Sequence, residues 1–164
     1  LKRARFTYSL IESSVESATQ PWPHQHARGF ATGRLMDAPK LTLVLLDEIL
    51  TIYRLDRDAP IPEWALRGGF VSITRTADEL SVVCSRPERQ PDVPHEPDWR
   101  CFQVAGPLSF SLTGILATLT RPLAEAGISI FAVSTFDTDY LLVKAEDISR
   151  AIVELTLAGH TVQG

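Results

Sequence analysis

From Gly106 to Val162 the chain runs through an amphipathic helical stretch, two apolar strand-like runs and a second helical stretch with no linker between them, an order that leaves few folds open. Leu112, Ile115, Leu116, Leu119 and Leu123 recur at helical spacing, as do Ile148, Ala151, Ile152 and Leu155 further along. Residues 128–135 and 140–144 read as strands, with further strands at 99–104 and 160–163. The order is βαββαβ, in which each helix buries its apolar stripe against a sheet. Ser109 or Ser111 is placed to cap the first helix and Asp147 the second, while Gly127 and Gly159 supply the stops. Pro122 is expected to bend the last turn of the first helix or end its regular bonding. Within this otherwise buried stretch, residues 134–139 read Ser-Thr-Phe-Asp-Thr-Asp, and polar groups in such a place need a reason.

The first half is less regular. Residues 41–55 form two β-type runs around Asp47 and Glu48, which predicts a hairpin or one long bent strand. Residues 62–69 fit a short helix that starts at Pro62 and stops at Gly68 and Gly69. Strands follow at 70–76 and 80–84, joined by a turn at 77–79. Residues 86–98 hold Pro87, Pro91, Pro94 and Pro97, so they are expected to be an extended linker without helix or ladder of its own. Residues 74–83 lie over 135–144 at an offset of 61, matching Thr74 with Thr135, Asp78 with Asp139 and Leu80 with Leu141 in the same strand phase. The expected plan is a tail at 1–35, a first domain at 36–85, the linker at 86–98 and a second domain at 99–164.

Residues 1–35 carry Lys2, Arg3, Arg5, Arg28 and Arg34 against Glu12 and Glu16, a charge of +3, and are expected to be poorly ordered. Met36 directly precedes the first strong strand, so the tail reads as upstream sequence; its Arg and Ser content also suits an organelle transit peptide, which Glu12 and Glu16 oppose. The 164 residues are 45% hydrophobic, enough for a real core, and the net charge of −4 gives no phosphate-binding surface on the scale that nucleic acid requires. No apolar run approaches the roughly 20 residues that span a bilayer, so no membrane partner is expected. Cys84 and Cys101 lie in apolar, strand-like surroundings without CxxC spacing and read as free core thiols, with a single bridge between them left open. A reducing, cytoplasmic location follows from that reading.

Residues 70–84 in the first half, and 112–116, 122–130 and 134–143 in the second, together resemble the tandem ACT-domain family related to the CASTOR arginine sensors. The similarity spreads over most of residues 40–163. It implies an α+β fold of two ferredoxin-like βαββαβ domains in tandem, the first abbreviated, with antiparallel sheets covered by helices. It also implies a non-catalytic, regulatory protein that binds an amino acid at an interface between two such domains. Carried over by motif, the ligand-binding residues are Thr113, Gly114 and Ile115 on a strand-to-helix loop, and Ser134, Thr135, Phe136, Thr138 and Asp139 on a strand loop. One tandem pair stands here where a CASTOR chain has two, so the resemblance implies a homodimer, together with a downstream protein of unknown identity.

The chemistry of these residues suits that role. A helix beginning at residues 113–115 offers unpaired N–H groups to a carboxylate, Gly114 lets a ligand approach the backbone, and Thr113 adds a hydroxyl. Asp139 can accept from an ammonium or guanidinium, with Ser134, Thr135 and Thr138 adding hydroxyls and Phe136 a ring face, a set that favours a cationic or neutral-polar amino acid. A plain capping turn at 113–115 and an ordinary β-turn at 134–139 remain the structural readings of the same residues. In the first half Arg75 is expected to pair with Asp78 and fill the equivalent place. No catalytic motif, cofactor loop or metal set is read; His24 and His26 lack a third ligand, and His95 and His160 lack neighbours at ligand spacing. Two other classes stay open: an interaction or structural module without ligand, and a detached regulatory subunit of an amino-acid biosynthetic enzyme.

Overall fold

A computed structural model describes residues 39–87, 89 and 91–164; the 1–35 segment, its His24/His26 pair and Met36 lie outside the described residues. The strand that organises the fold is β5 (His95–Val104), ten residues long and paired along both edges. On one edge lie β1 (Thr42–Leu45) and β2 (Leu50–Leu55), end to end, with Leu45 opposite Phe102 and Leu50 opposite Trp99. On the other edge lies β7 (Asp139–Lys144), followed outward by β6 (Ile130–Ser134). β4 (Leu80–Ser85) and β3 (Val71–Arg75) extend the sheet beyond β2, and β8 (Thr161–Gln163) lies outside β1.

One sequence expectation is corrected by this arrangement and one open choice is decided. The sheet is a single mixed one, because β1 and β8 run parallel while the other pairs are antiparallel. Of the two readings of residues 41–55, the long bent strand is the one observed: β1 and β2 lie end to end along β5, do not pair with each other, and meet at a bend at the polar step. Glu48 holds that bend, accepting hydrogen bonds from Gly69 N (2.6 Å) and Phe70 N (3.0 Å).

The proline-rich segment departs from its reading as well. Strand β5 already starts at His95, and Arg54 N donates to Pro94 O at 2.9 Å. Pro97 is tolerated because the register slips between Leu50/Trp99 and Ile52/Glu96, where a bulge places Asp98 at φ 62°. A bulged residue needs no ladder donor, so the missing proline N–H costs no bond.

Helices α1 (Ile115–Glu125) and α2 (Ile148–Leu157) cover one face of the sheet. Leu119, Leu123, Ala151 and Leu155 meet Leu43, Phe102, Val104, Leu141 and Val143 there, all fully buried. Both helices end as their glycines predict: Ile128 N returns to Leu123 O (2.8 Å) past Gly127, and His160 N to Leu155 O (3.0 Å) past Gly159. Pro122 stays inside the last turn of α1, and its carbonyl still accepts from Ala126 N. Asp147 stands at the N-cap position of α2 as expected, but no side-chain cap bond forms on either helix, and Gly114 takes the N-cap position of α1 in place of the serines. Ser109 and Ser111 bond each other at 2.8 Å, Leu112 precedes the helix, and the Asp147 carboxylate is taken by Arg150 at 2.8 Å.

The opposite face curls over a second cluster of Leu50, Phe70, Val83, Trp99, Cys101 and Leu142. A third cluster, around Tyr53, Val82 and Cys84, is capped by the short 3-10 turn Glu63–Leu66 through Ala65 and Trp64. His160 fastens β1 to α1: its Nδ1 accepts from Leu41 N and its Nε2 donates to Thr118 O, both at 3.3 Å. Cys84 and Cys101 are free and buried, as the sequence suggests, and desolvation pushes their thiols up to about 11 and about 12. A thiol held protonated and out of solvent is a poor nucleophile. An aromatic disulfide reagent at pH 8 is therefore expected to titrate neither cysteine in the native protein and both in denaturant; rapid reaction of either native thiol would contradict this packing.

Candidate functional site

The helix that begins at Ile115 has Gly114 as its N-cap at φ 81°, a left-handed conformation that L side chains resist. No side chain caps it, and its first turn carries no acidic residue. The positive end of the helix is therefore left without a partner of its own. Space in front of Gly114 is open, since a Cβ built there meets no atom within 4 Å.

Opposite stands the tip of the β6–β7 hairpin. Its turn contains no residue at positive φ, and the Thr135 side chain supports it instead. Thr135 Oγ1 donates to Thr138 O at 2.8 Å and accepts from Thr138 N at 3.4 Å. Thr138 is buried, and its hydroxyl donates to Val104 O at 2.5 Å, anchoring the tip to β5. The Asp137 carbonyl accepts from Leu108 N at 2.7 Å, which ties the loop leaving β5 to the same tip. Ser134 Oγ donates to Asp139 Oδ1 at 2.6 Å across the last rung of the hairpin.

These two elements enclose a cavity of about 450 Å³. Gly114, Ile115, Ser134, Thr135, Phe136, Thr138 and Asp139 all line it, so seven of the eight residues singled out in the sequence come together; Thr113 is exposed and not part of the lining. The hydroxyls divide by role. That of Thr135 is spent within the hairpin and that of Thr138 on the Val104 carbonyl of β5, whereas the Ser134–Asp139 pair stands at the open end. Sequence reading missed Leu108, Phe110 and Asp137, which also line the cavity. Phe110 was findable only as an aromatic in a loop: it meets Phe136 edge-to-face at 5.2 Å, and the two rings are 77% and 79% exposed. Among the described residues no three His, Cys, Asp or Glu side chains converge as a metal set.

Comparison with known proteins gives this arrangement a lineage. A family model described as the ACT domain matches residues 95–156, and a second model, for an N-terminal domain, matches 48–94. The chain carries an ACT domain at residues 95–156. It is related to the CASTOR proteins: the rat protein called cytosolic arginine sensor for mTORC1 subunit 1 is 40% identical over 132 residues, which cover 70% of this chain. The chain spans only 37% of that relative's length. Among solved structures, a protein from Agobacterium tumefaciens is 46% identical, with a TM-score of 0.73 over 77% of this chain and 94% of that one. The regulatory subunit of aspartate kinase from Thermus thermophilus has the same fold, with a TM-score of 0.51 at 13% identity over 71% of this chain and 97% of that one.

Within the ACT βαββαβ order supplied by β5, α1, β6, β7, α2 and β8, one strand is foreign: β1 of the first half sits between β5 and β8. The β3–β4 hairpin repeats the β6–β7 hairpin at an offset of 59 rather than 61. Thr76 N to Glu79 O corresponds to Thr135 N to Thr138 O, both 2.9 Å, and Thr76 Oγ1 accepts from Glu79 N as Thr135 Oγ1 does from Thr138 N. A slip of two keeps the strand phase, which is why the sequence match survived it. Arg75 does not pair with Asp78; its guanidinium binds the carbonyls of Arg57 and Ala59.

Two substitutions separate support from ligand contact. Thr138→Val is expected to cost about 1–2 kcal/mol in urea unfolding, because the Val104 carbonyl loses a buried donor. Gly114→Ala is expected to cost about 1–2 kcal/mol from left-handed strain alone, since the new methyl group meets open space. A neutral Gly114→Ala variant would contradict the cap geometry.

Proposed function

We propose that this protein is a non-catalytic sensor that binds an amino acid in the cavity between the α1 N-terminus and the β6–β7 hairpin tip, at an interface between ACT domains. The observation that carries the reading is the uncapped, acid-free start of α1 facing the Ser134–Asp139 pair across one cavity. The two halves of a zwitterion need opposite partners. The ligand carboxylate takes the free N–H groups of the first turn beside Gly114 and Ile115, with Thr113 at the rim. The ammonium, or a cationic side chain, takes the Asp139 oxygen that Ser134 leaves free. Phe136, with Phe110, lies along the alkyl or cationic stem. Thr135 and Thr138 hold the tip in place.

The reading includes a tandem pair, with residues 36–85 as an abbreviated first unit and 99–164 as the second, and a homodimer that completes the interface. Phe110, Phe136 and Leu112, the last 50% exposed, form an apolar rim that supports a cover from a second copy. The relative named as an arginine sensor supports a cationic amino acid as the first ligand to try. Ligand that bridges two subunits stabilises their arrangement, and a downstream protein reads the difference.

A thermal-shift screen of the full chain against the twenty amino acids, with Asp139→Ala alongside, tests this. At 100 times Kd a ligand adds about 2.7 kcal/mol, which raises the melting temperature by several degrees in a domain of this size. One or a few amino acids are expected to do so, with the shift lost in Asp139→Ala while its unliganded melting temperature stays near that of the parent. No shift with any amino acid at millimolar concentration would overturn the reading.

A further inference from the structure

Counted along the sheet, β3 and β7 are four steps apart, through β4, β2 and β5. In a flat sheet that separation is about 19 Å. Yet the ring of Phe70, immediately before β3, lies 4.9 Å edge-to-face from the ring of Tyr140 on β7. The sheet is therefore curled into a half-barrel around the cluster of Leu50, Phe70, Val83, Trp99, Cys101 and Leu142. That core does not fill it: between β3 and β6 a cavity of about 490 Å³ stays open on the same face, away from the helices.

One wall explains the gap. On β4, Leu80, Val82 and Cys84 pack in the third cluster and Val83 in the second, so Ser81 shares the inner face with Val83. Ser72 stands opposite Val83 and Thr74 opposite Ser81, which puts both on that face as well. Three hydroxyl side chains thus occupy inward positions where the half-barrel calls for bulk. Across the cavity stand Phe131, Val133 and Tyr140, all packed against the second cluster. Among the described residues none of the Ser72, Thr74, Ser81 and Tyr140 hydroxyls finds a hydrogen-bond partner, and no Asp, Glu, Lys, Arg or His lines the cavity.

These walls select an occupant. A charged ligand would lose its hydration there without gaining a counter-ion. An alkyl chain would strip water from the hydroxyls and return no hydrogen bond. A strand added to the free edge of β3 or β6, from a second copy or any other chain, lies in the plane of the sheet and leaves these side chains, which stand on its face, uncovered. We propose that the cavity is a small-molecule site, distinct from the one beside α1, for a neutral planar heterocycle bearing ring N–H and C=O groups, as in a nucleobase. Its ring lies against Tyr140 and Phe131, and its polar edge meets the hydroxyls of Ser72, Thr74 and Ser81, each of which can donate or accept. The rings supply apolar area and the few convergent hydroxyls fix orientation, the usual division of labour in a small-ligand pocket. With no carboxylate and no helix end in its lining, the site stands independently of the amino-acid function proposed above.

The probes are uracil and adenine, both uncharged at neutral pH, titrated into the nitrogen-15-labelled full chain and followed by amide chemical shifts, with benzoate as the charged control. Saturation with a Kd below about 1 mM is expected for at least one base, with the largest shifts at residues 72–74, 81, 131–133 and 140 and none with benzoate. Ser81→Ala removes one hydroxyl and adds no bulk, so it is expected to weaken binding about tenfold. Ser72→Leu fills the cavity and is expected to abolish binding; if it fails to fold, Ser81→Ala carries the test alone. No saturation with either base below about 5 mM would overturn the proposal, as would parental affinity in both variants. Shifts centred instead on Gly114 and residues 134–139 would place the bases in the cavity beside α1 and overturn it too. So would a dimer in sedimentation that Ser72→Leu or Ser81→Ala turns into monomer, which would assign the cavity to a second copy.

Discussion

Everything in this fold hangs from the double pairing of β5. A central strand with partners on both edges loses its backbone polar groups to neither solvent nor vacuum, and its side chains must satisfy two faces at once. Phe102 and Val104 point to the helices, while Trp99 and Cys101 point to the opposite cluster. The bulge at Asp98 lets one strand serve both halves: before it His95 and Glu96 pair with β2, and after it β5 carries β1 on that same edge and β7 on the other. Strand β1 of the first half thereby becomes an inner strand of the second. The halves share backbone hydrogen bonds as well as apolar contact, so neither edge of the shared region is left open.

That shared strand also positions the site. The hairpin tip is pinned to β5 by Thr138 and to the loop after β5 by the Asp137 carbonyl. Helix α1 starts a few residues along the same loop. The start of the helix and the tip of the hairpin are thus held by one strand end, and the distance between them is set by covalent chain and two hydrogen bonds, one of them from the buried Thr138 hydroxyl. Preorganisation of this kind lowers the ordering cost of binding.

The second half was legible because its signals are local. Helical spacing marked α1 and α2, and Gly127 and Gly159 marked their ends, since a left-handed closing residue with two return bonds needs only a few neighbours to form. The first half was harder because its partners are distant. Residues 41–55 carry the same strand pattern whether they fold on themselves or lie along β5, and only Glu48, bonding amides about twenty residues away, turns the polar step into a bend. Four prolines hid the start of β5, because proline tolerance at a bulge depends on the register of the opposing strand. At the candidate site, which residues come together was legible and what each does in the fold was not: nothing local distinguishes a threonine that braces a turn from one that faces a cavity.

The two hairpins sharpen that distinction. At the offset of 59 set by their hydrogen bonds, Thr76 corresponds to Thr135 and Asp78 to Asp137, so the turn-bracing threonine is present in both. Ser134, Phe136 and Asp139 correspond to Arg75, Ala77 and Leu80. The groups that keep the turn in shape recur, while the hydroxyl, ring and carboxylate at the open end belong to the second hairpin alone. A leucine where Asp139 would stand offers no partner to a cation, and the guanidinium of Arg75 is consumed by two carbonyls of its own chain. The repeated scaffold is therefore chemically equipped at one of its two copies, which is the physical reason to look for ligand at the β6–β7 tip and not at the β3–β4 tip.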